Sequence, residues 1–276
     1  MFDSIIIGSG PAGIQAAIYL KRFKKEVVII TKDRGALANA SNVENYFGFS
    51  SINGNELLDS GLKQVKDLGV DVKEEEALSI EEGNFFTVKT DKAEYTGKTV
   101  LLAMGKIRPK GKINGLEKAK NVSYCAVCDG FFYRRKKIAL IGSGNYMLSE
   151  YDVLKNQTND IWVFTNQKEA RKDLPNLVTD EIVDISDNTI KTANQEYKVD
   201  GIFLALDSPD ASDFSRTLGV VMEGSNIKVD DNYMTNIKGI FAAGDVIGGI
   251  YQIVKAASDG ANAAFKINDY LKKINK

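Results

Sequence analysis

The chain has no histidine and only two cysteines among its 276 residues. Zinc takes most of its protein ligands from Cys and His, so a metal centre here would need unusual help from carboxylates. No stretch approaches the roughly 18 consecutive apolar residues that a membrane-spanning helix requires. A formal net charge of -1 argues against nucleic acid as the main partner. Neither short-period repeats nor low-complexity segments occur. The first residues, Phe2 to Ile7, run straight into a strand pattern without a basic and apolar leader, so a cytoplasmic location is expected. In that reducing compartment a disulfide is more often catalytic than structural.

Both cysteines lie in one run, Tyr124-Cys125-Ala126-Val127-Cys128-Asp129-Gly130. Free cysteines usually pack as small core hydrophobes, but the polar and aromatic neighbours describe a turn or a helix start. A dithiol that cycles through a disulfide needs only two sulfurs and a nearby proton donor, and Asp129 is the acid at hand. Its alternative role is a helix cap. Around the pair, from Lys106 to Lys137, ten Lys or Arg residues stand against Glu117 and Asp129. Such a run is either solvated surface or a means of steering an acidic protein partner.

Two strand-glycine-helix openings suggest two domains, and 276 residues can bury two moderate cores. The first is Ile5-Ile6-Ile7-Gly8-Ser9-Gly10-Pro11-Ala12-Gly13, followed by a helical run to Leu20 and a second apolar strand, Val27 to Ile30. Gly8 permits a tight turn, Gly10 clears the approach of a pyrophosphate, and Gly13 allows close helix-strand packing. Where an acid often holds an adenosine ribose, Thr31-Lys32 stands instead, with Asp33 next.

The second opening is Lys137-Ile138-Ala139-Leu140-Ile141-Gly142-Ser143-Gly144-Asn145-Tyr146-Met147, with a helix continuing from Leu148 to Lys155. Its third small position is Met147, which fills the space where helix, strand and phosphate should meet. The following strand, Ile161 to Phe164, leads into Thr165-Asn166-Gln167-Lys168-Glu169, and the first arginine available for a 2′-phosphate is Arg171. The scaffold of a dinucleotide site is present while its ligand chemistry is altered.

Near the C-terminus, Ile237-Lys238-Gly239-Ile240-Phe241-Ala242-Ala243-Gly244-Asp245-Val246 reads as a short strand ending in Gly-Asp, before a helix from about Gln252 to Leu271. Asp245 can accept hydrogen bonds from ribityl hydroxyls, and the helix start can stabilise the electron-rich edge of a reduced flavin. Between these landmarks lie a Ser-, Asn- and Gly-rich loop (35 to 55), a helix from Asn55 to Leu68, and strands to Met104. Phe85 to Val88 is expected in an antiparallel excursion.

Gly8 to Gly13, Val43-Glu44-Asn45-Tyr46-Phe47-Gly48, Ala103-Met104-Gly105, Cys125 to Gly130 and Gly244-Asp245-Val246 together resemble the low-molecular-weight thioredoxin reductases over nearly the whole chain. The resemblance implies an α/β fold of two Rossmann-like three-layer domains of the pyridine nucleotide-disulfide oxidoreductase type, the first discontinuous. Residues 1-112 and 237-276 would bind FAD, and residues 113-236 would carry the redox-active Cys-x-x-Cys and the degenerate nucleotide site. It implies FAD held by Gly8, Gly10, Pro11, Ala12, Gly13, Thr31, Lys32, Ala36, Leu37, Asn45, Gly105, Gly244, Asp245, Tyr251, Gln252 and Ile253. It further implies a homodimer, a Cys125-Cys128 disulfide with Cys128 nearer the flavin, Asp129 as acid, and thioredoxin as acceptor.

Three departures fall together. The family's second fingerprint with its Glu-Glu is here Gly142 to Glu150, its His-Arg-Arg segment is Thr165-Asn166-Gln167, and the Arg of its Arg-Gln pair is Tyr251. All three affect groups expected to serve NADPH or its approach, whereas the flavin and dithiol motifs persist. In this the chain is similar to the ferredoxin-dependent flavin thioredoxin reductases of clostridia, which implies reduced ferredoxin as donor. The alternatives are a reductase that uses NADPH or NADH through atypical contacts, and a flavin-containing redox sensor or binding protein that does not turn over.

Overall fold

The computed structural model describes residues 1-105, 113-123, 126-168, 173-206 and 211-274. They form two compact units, Met1-Ile107 with Asp210-Lys276, and Arg108-Pro209.

The run Phe2-Ile7 forms β1, and its last four residues are buried, the pattern of a parallel strand covered on both faces. Helix α1 (Pro11-Arg22) starts on a proline, whose missing N-H has no intrahelical partner to lose, and ends with Lys21 and Arg22 at the negative end of its dipole. Strand β2 (Val27-Thr31) returns parallel to β1, with Ile5 opposite Val28. Helix α2 (Gly54-Asp67) is capped by the side chain of Asn53, which accepts the amide of Asn55 at 2.9 Å, and β3 (Asp71-Glu74) then adds parallel to β2.

Next, β4 (Ala77-Glu81), β5 (Phe86-Thr90) and β6 (Glu94-Leu102) form an antiparallel meander, so the excursion expected around Phe85 to Val88 is present as β5. The first half of β6 pairs with β5, and its second half runs parallel to β1.

The second unit follows with β7 (Val122-Ser123), α3 (Ala126-Asp129), β8 (Ile138-Gly142), α4 (Gly144-Leu154), β9 (Ile161-Phe164) and β10 (Leu177-Val178). Beyond these come β11 (Ile182-Ser186), β12 (Thr189-Thr192), β13 (Glu196-Lys198) and β14 (Gly201-Ala205). Its parallel sheet has the order β10-β9-β8-β14-β7, and β11, β12 and β13 make a separate antiparallel layer. Ile141, Phe164, Ile185, Ile190 and Ile202 bind the two layers into one apolar core.

The chain returns to the first unit through α5 (Ala211-Leu218), β15 (Met222-Glu223), β16 (Asn226-Ile227), β17 (Ile240-Ala242) and α6 (Ile253-Ile274). Strand β17 lies parallel to the end of β6, with Ile240 opposite Val100. The second stretch of the first unit is Asp210-Lys276, so the unit includes residues before the Gly-Asp segment. The reason is apolar: Phe214, Val220 and Ile227 are buried in the same cluster as Ile5, Val28, Ile30 and Val100. A fully buried Phe contributes about 1.5-3 kcal/mol over an exposed one, so these residues hold the segment to the first sheet.

The alternation of side chains divides the first core in two. Ile6, Ile29, Leu101 and Phe241 face α1, α2 and α6, whereas Ile5, Ile7, Ile30, Leu102 and Ala242 face the other side with Phe86 and Phe214. This sandwich fixes the ends of β1, β2, β6 and β17 at one edge of the sheet.

Candidate active site: a dinucleotide cradle and a redox segment

At that edge the strand ends are tied in series. The amide of Gly8 donates to Ile30 O at 2.8 Å, Ala103 to Ile7 O at 2.8 Å, and Ala243 to Leu102 O at 3.0 Å. The chain leaves β1 toward β2 on one side and reaches β6 on the other, so Gly8 sits at the switch point of the sheet, where α/β folds bind ligands.

Gly8 has φ +108°, and a Cβ there would collide with the carbonyl of Ala103. A Cβ on Gly13 would collide with the carbonyl of Gly8, which is the close helix-strand approach the spacing calls for. Gly10 faces open space, with nothing within 4 Å of an added Cβ. As N-cap of α1 it supplies no side-chain hydrogen bond, so the first amides of the helix keep their donors for a ligand. An uncapped helix start beside a cleared backbone fits the pyrophosphate of a dinucleotide.

The other expected cofactor residues lie in the same unit. Pro11 opens α1, and Ala12 is buried against the Gly244 turn, since a Cβ on Gly244 would stand 2.8 Å from that of Ala12. Asp245 lies in the 3-10 turn Gly244-Ile247, directly after β17. The hydroxyl of Thr31 is hydrogen-bonded with Ser9 Oγ at 2.9 Å and donates to Asp33 O at 2.8 Å. Asp33 Oδ1 in turn accepts the amide of Gly35 at 2.7 Å.

Lys32 Nζ reaches Glu76 Oε1 at 3.0 Å across the sheet edge. Ala36 and Leu37 begin a 3-10 turn whose Leu37 leans on the core. Asn45 lies in a loop closed by the Val43-Ile52 bridge, and its Nδ2 donates to Gln252 Oε1 at 2.9 Å. Tyr251, 44% exposed, and Gln252 precede Ile253, the first residue of α6. Gly105 has φ +79°, and among the described residues nothing lies within 4 Å of a Cβ added there.

In the second unit, Cys125 and the side chain of Cys128 lie outside the described residues, as do Arg171 and the basic residues from 106 to 112. The backbone of Cys128 belongs to α3. Asp129 ends that helix and makes no side-chain cap; its Oδ2 accepts the hydroxyl of Ser123 at 2.7 Å. The first amide of α3, that of Ala126, donates to Glu150 Oε2 at 2.7 Å. Glu150 is buried on α4 and so ties α3 to the helix of the second opening.

Phe131 and Phe132 are exposed just beyond, 60% and 67% respectively, the first beneath the Arg134 guanidinium. Part of the basic run is engaged internally: Lys120 pairs with Asp187 at 2.7 Å, and Lys137 stands over the Trp162 ring.

The second opening keeps its strand-turn-helix form. A Cβ on Gly142 would collide with the carbonyl of Ala205, the counterpart of Gly8 against Ala103. Met147, however, is 1% exposed, and its Cβ lies 3.2 Å from where a Gly142 Cβ would stand. Tyr146 is 3% exposed beside it. After β9, Asn166 Oδ1 accepts the amide of Ile182 at 2.8 Å, and the Gln167 amide donates to Thr179 O at 2.9 Å.

The chain matches the pyridine nucleotide-disulphide oxidoreductase family over residues 2-150 and 152-260. It belongs to that family. Within it the chain is 32% identical to the thioredoxin reductase of Ureaplasma parvum, covering 100% of this chain and 98% of that protein. The atypical thioredoxin reductase TRi from Desulfovibrio vulgaris Hildenborough has a TM-score of 0.91 at 29% identity, with 99% of each chain covered. A ferredoxin-flavin thioredoxin reductase from Clostridium acetobutylicum gives 0.72 at 30% identity, with 100% of this chain and 99% of that one covered.

The protein is therefore a member of the low-molecular-weight thioredoxin reductase family, a flavin disulfide oxidoreductase with FAD as cofactor. Relatives of several kinds share the sequence to a similar degree, and the atypical reductase from Desulfovibrio vulgaris Hildenborough gives a higher TM-score than the clostridial one.

Proposed function

We propose that the protein is a cytoplasmic, homodimeric thioredoxin reductase that takes electrons from reduced ferredoxin and passes them through FAD and the Cys125-Cys128 disulfide to thioredoxin. The observation that carries the choice of donor is Met147, buried at the third position of the second opening with Tyr146 beside it. A nicotinamide dinucleotide needs that position small. The ferredoxin-flavin reductase among the structural relatives and the basic residues around the cysteines support the same reading.

FAD would be held by Gly8, Gly10 and Gly13 at its pyrophosphate, and by Asp245 at the ribityl hydroxyls. Asn45, Gln252 and the start of α6 would lie along its ring. The cofactor supplies the exchange between one-electron and two-electron chemistry. Two electrons and two protons convert the Cys125-Cys128 disulfide to a dithiol, and exchange with thioredoxin restores that disulfide and leaves the partner's cysteines reduced. Asp129 would hold the proton that the departing thiolate takes up. Ser123 fixes that carboxylate, and Glu150 fixes the helix that presents the pair. The exposed Phe131 and Phe132 offer an apolar landing for the incoming protein.

One observation favours a second reading. Among the described residues nothing lies within 4 Å of a Cβ added to Gly144, at the start of α4, and the side chain of the N-cap Ser143 does not cap the helix. That helix start could accept the phosphates of NADPH or NADH. Anaerobic turnover with thioredoxin separates the two: photoreduced ferredoxin should support reduction of thioredoxin and NADPH should not. Turnover with NADPH at a comparable rate would reverse the assignment.

A further inference from the structure

One largely buried amine joins the Gly244 turn to the first turn of α6. Lys255 Nζ donates to Gly244 O at 3.1 Å and to Gly248 O, and it pairs with Asp259 Oδ2 at 2.7 Å. The same Oδ2 accepts the amide of Gly244 at 3.2 Å, while Oδ1 accepts the Tyr233 hydroxyl at 3.2 Å. Lys255 is 19% exposed and Asp259 9%. Burial and the neighbouring Asp259 charge, with the hydrogen bond to it, hold the Tyr233 hydroxyl in its protonated form above the ordinary tyrosine range.

The network lies against the first opening. Gly244, with φ +83°, packs on Ala12, and Gly260, next to Asp259, is so close that a Cβ there would collide with the Ala12 carbonyl. Taking two charges out of water offsets much of their attraction, so a buried pair of this kind is a weak source of stability. Its geometry does something more specific. The ammonium has three donors and meets three acceptors, two of them the carbonyls that begin and follow the turn carrying Asp245. It therefore fixes the path of that turn, and the ammonium and its Asp259 partner both stand against Gly244.

We propose that Lys255 is a positioning residue for FAD: it locks the Gly244-Gly248 turn to α6 and holds a cation next to the cofactor, favouring the electron-rich reduced flavin over the oxidised one. Asp259 sets the strength of that bias by partly neutralising the amine. The inference rests on FAD occupying the first unit and is independent of the electron donor.

The test is a spectroelectrochemical titration of the FAD-loaded protein, together with FAD affinity from flavin fluorescence. Lys255→Met removes the cation and leaves Asp259 unpaired. It should weaken reduced flavin at least tenfold more than oxidised flavin, a fall of about 30 mV in the two-electron midpoint. Asp259→Asn, which frees the amine from its carboxylate, should move the midpoint upward, and Lys255→Arg should restore most of the original value.

A purely mechanical brace would weaken both redox forms equally and leave the midpoint unmoved, and that result would overturn the proposal. Shifts of the same sign in the Met and Asn variants would overturn it as well. Should Lys255→Met fail to fold with FAD, Lys255→Gln keeps amide donors for the carbonyls and is judged by the same fall in midpoint. Chemical reduction drives the titration, so failure of the ferredoxin assignment would leave these outcomes readable.

Discussion

The two glycine-rich openings begin alike, with Gly8-Ser9-Gly10 after β1 and Gly142-Ser143-Gly144 after β8. In each, the first glycine is pressed against a carbonyl of the neighbouring strand, Ala103 or Ala205, and neither helix N-cap makes a side-chain hydrogen bond. They part at the third small position. Gly13 is in backbone contact with Gly8, whereas Met147 turns its side chain into the core of the second unit. A strand-turn-helix can thus be kept by its first glycine and its apolar strand alone. Of the two openings only the first has at its third position the glycine that lets a dinucleotide-binding helix pack closely on its strand.

Exchanging the distinguishing residues should break the comparison most visibly at the first opening. Gly13→Met forces a side chain into the Gly8 carbonyl. It should lower FAD affinity at least a hundredfold, about 2.7 kcal/mol, read as loss of flavin absorbance relative to protein absorbance after purification.

At the second opening the reverse change should cost stability and leave cofactor loading alone. Met147→Ala removes a fully buried side chain and should destabilise the second unit by about 2-5 kcal/mol, seen in urea or thermal melts. FAD content should remain unchanged, and NADPH should still not bleach the flavin.

A smaller effect is expected from Asp129→Asn. If this carboxylate passes the proton, thioredoxin reduction should fall by about 10²-fold, while chemical reduction of the flavin proceeds as before. A Ser123→Ala variant, which frees the carboxylate without removing it, should lie between the two in a stopped-flow assay.

The slightest effect concerns the first unit alone. Burial, the hydrogen bond to Glu75, and the charges of Glu75 and Asp71 raise the Tyr95 hydroxyl to about 12. An acid group whose folded value is raised favours the folded state fully below its unfolded value of about 10, and that contribution disappears as pH climbs through about 12. Tyr95→Phe should accordingly flatten the loss of stability across that alkaline window, measured by denaturant midpoints at several pH values.

Much of this architecture is legible in the residues. The βαβ of β1, α1 and β2, the strand ending in Gly244-Asp245, and α6 follow from glycine placement and apolar period, and the core alternation of Ile5, Ile6 and Ile7 is a strand signal. The chain's return at residue 210 is not, because α5 and the β15-β16 hairpin are short, and their three anchors, Phe214, Val220 and Ile227, become informative only against β1, β2 and β6.

The Glu150 contact to Ala126 spans 24 positions, and Ser123 to Asp129 depends on a turn whose path no periodicity gives. Lys255 and Asp259 are visible as an i,i+4 pair on a helix. That pattern usually means a solvated face, so their link to the Gly244 turn needs the fold.

The most direct test of the asymmetry between the openings is an anaerobic titration of the FAD-loaded protein, followed at the flavin absorbance, with photoreduced ferredoxin and with NADPH in parallel. One functional dinucleotide opening predicts full, rapid bleaching by ferredoxin and none by NADPH at turnover-relevant times. Bleaching by stoichiometric NADPH as fast as thioredoxin is reduced would contradict it.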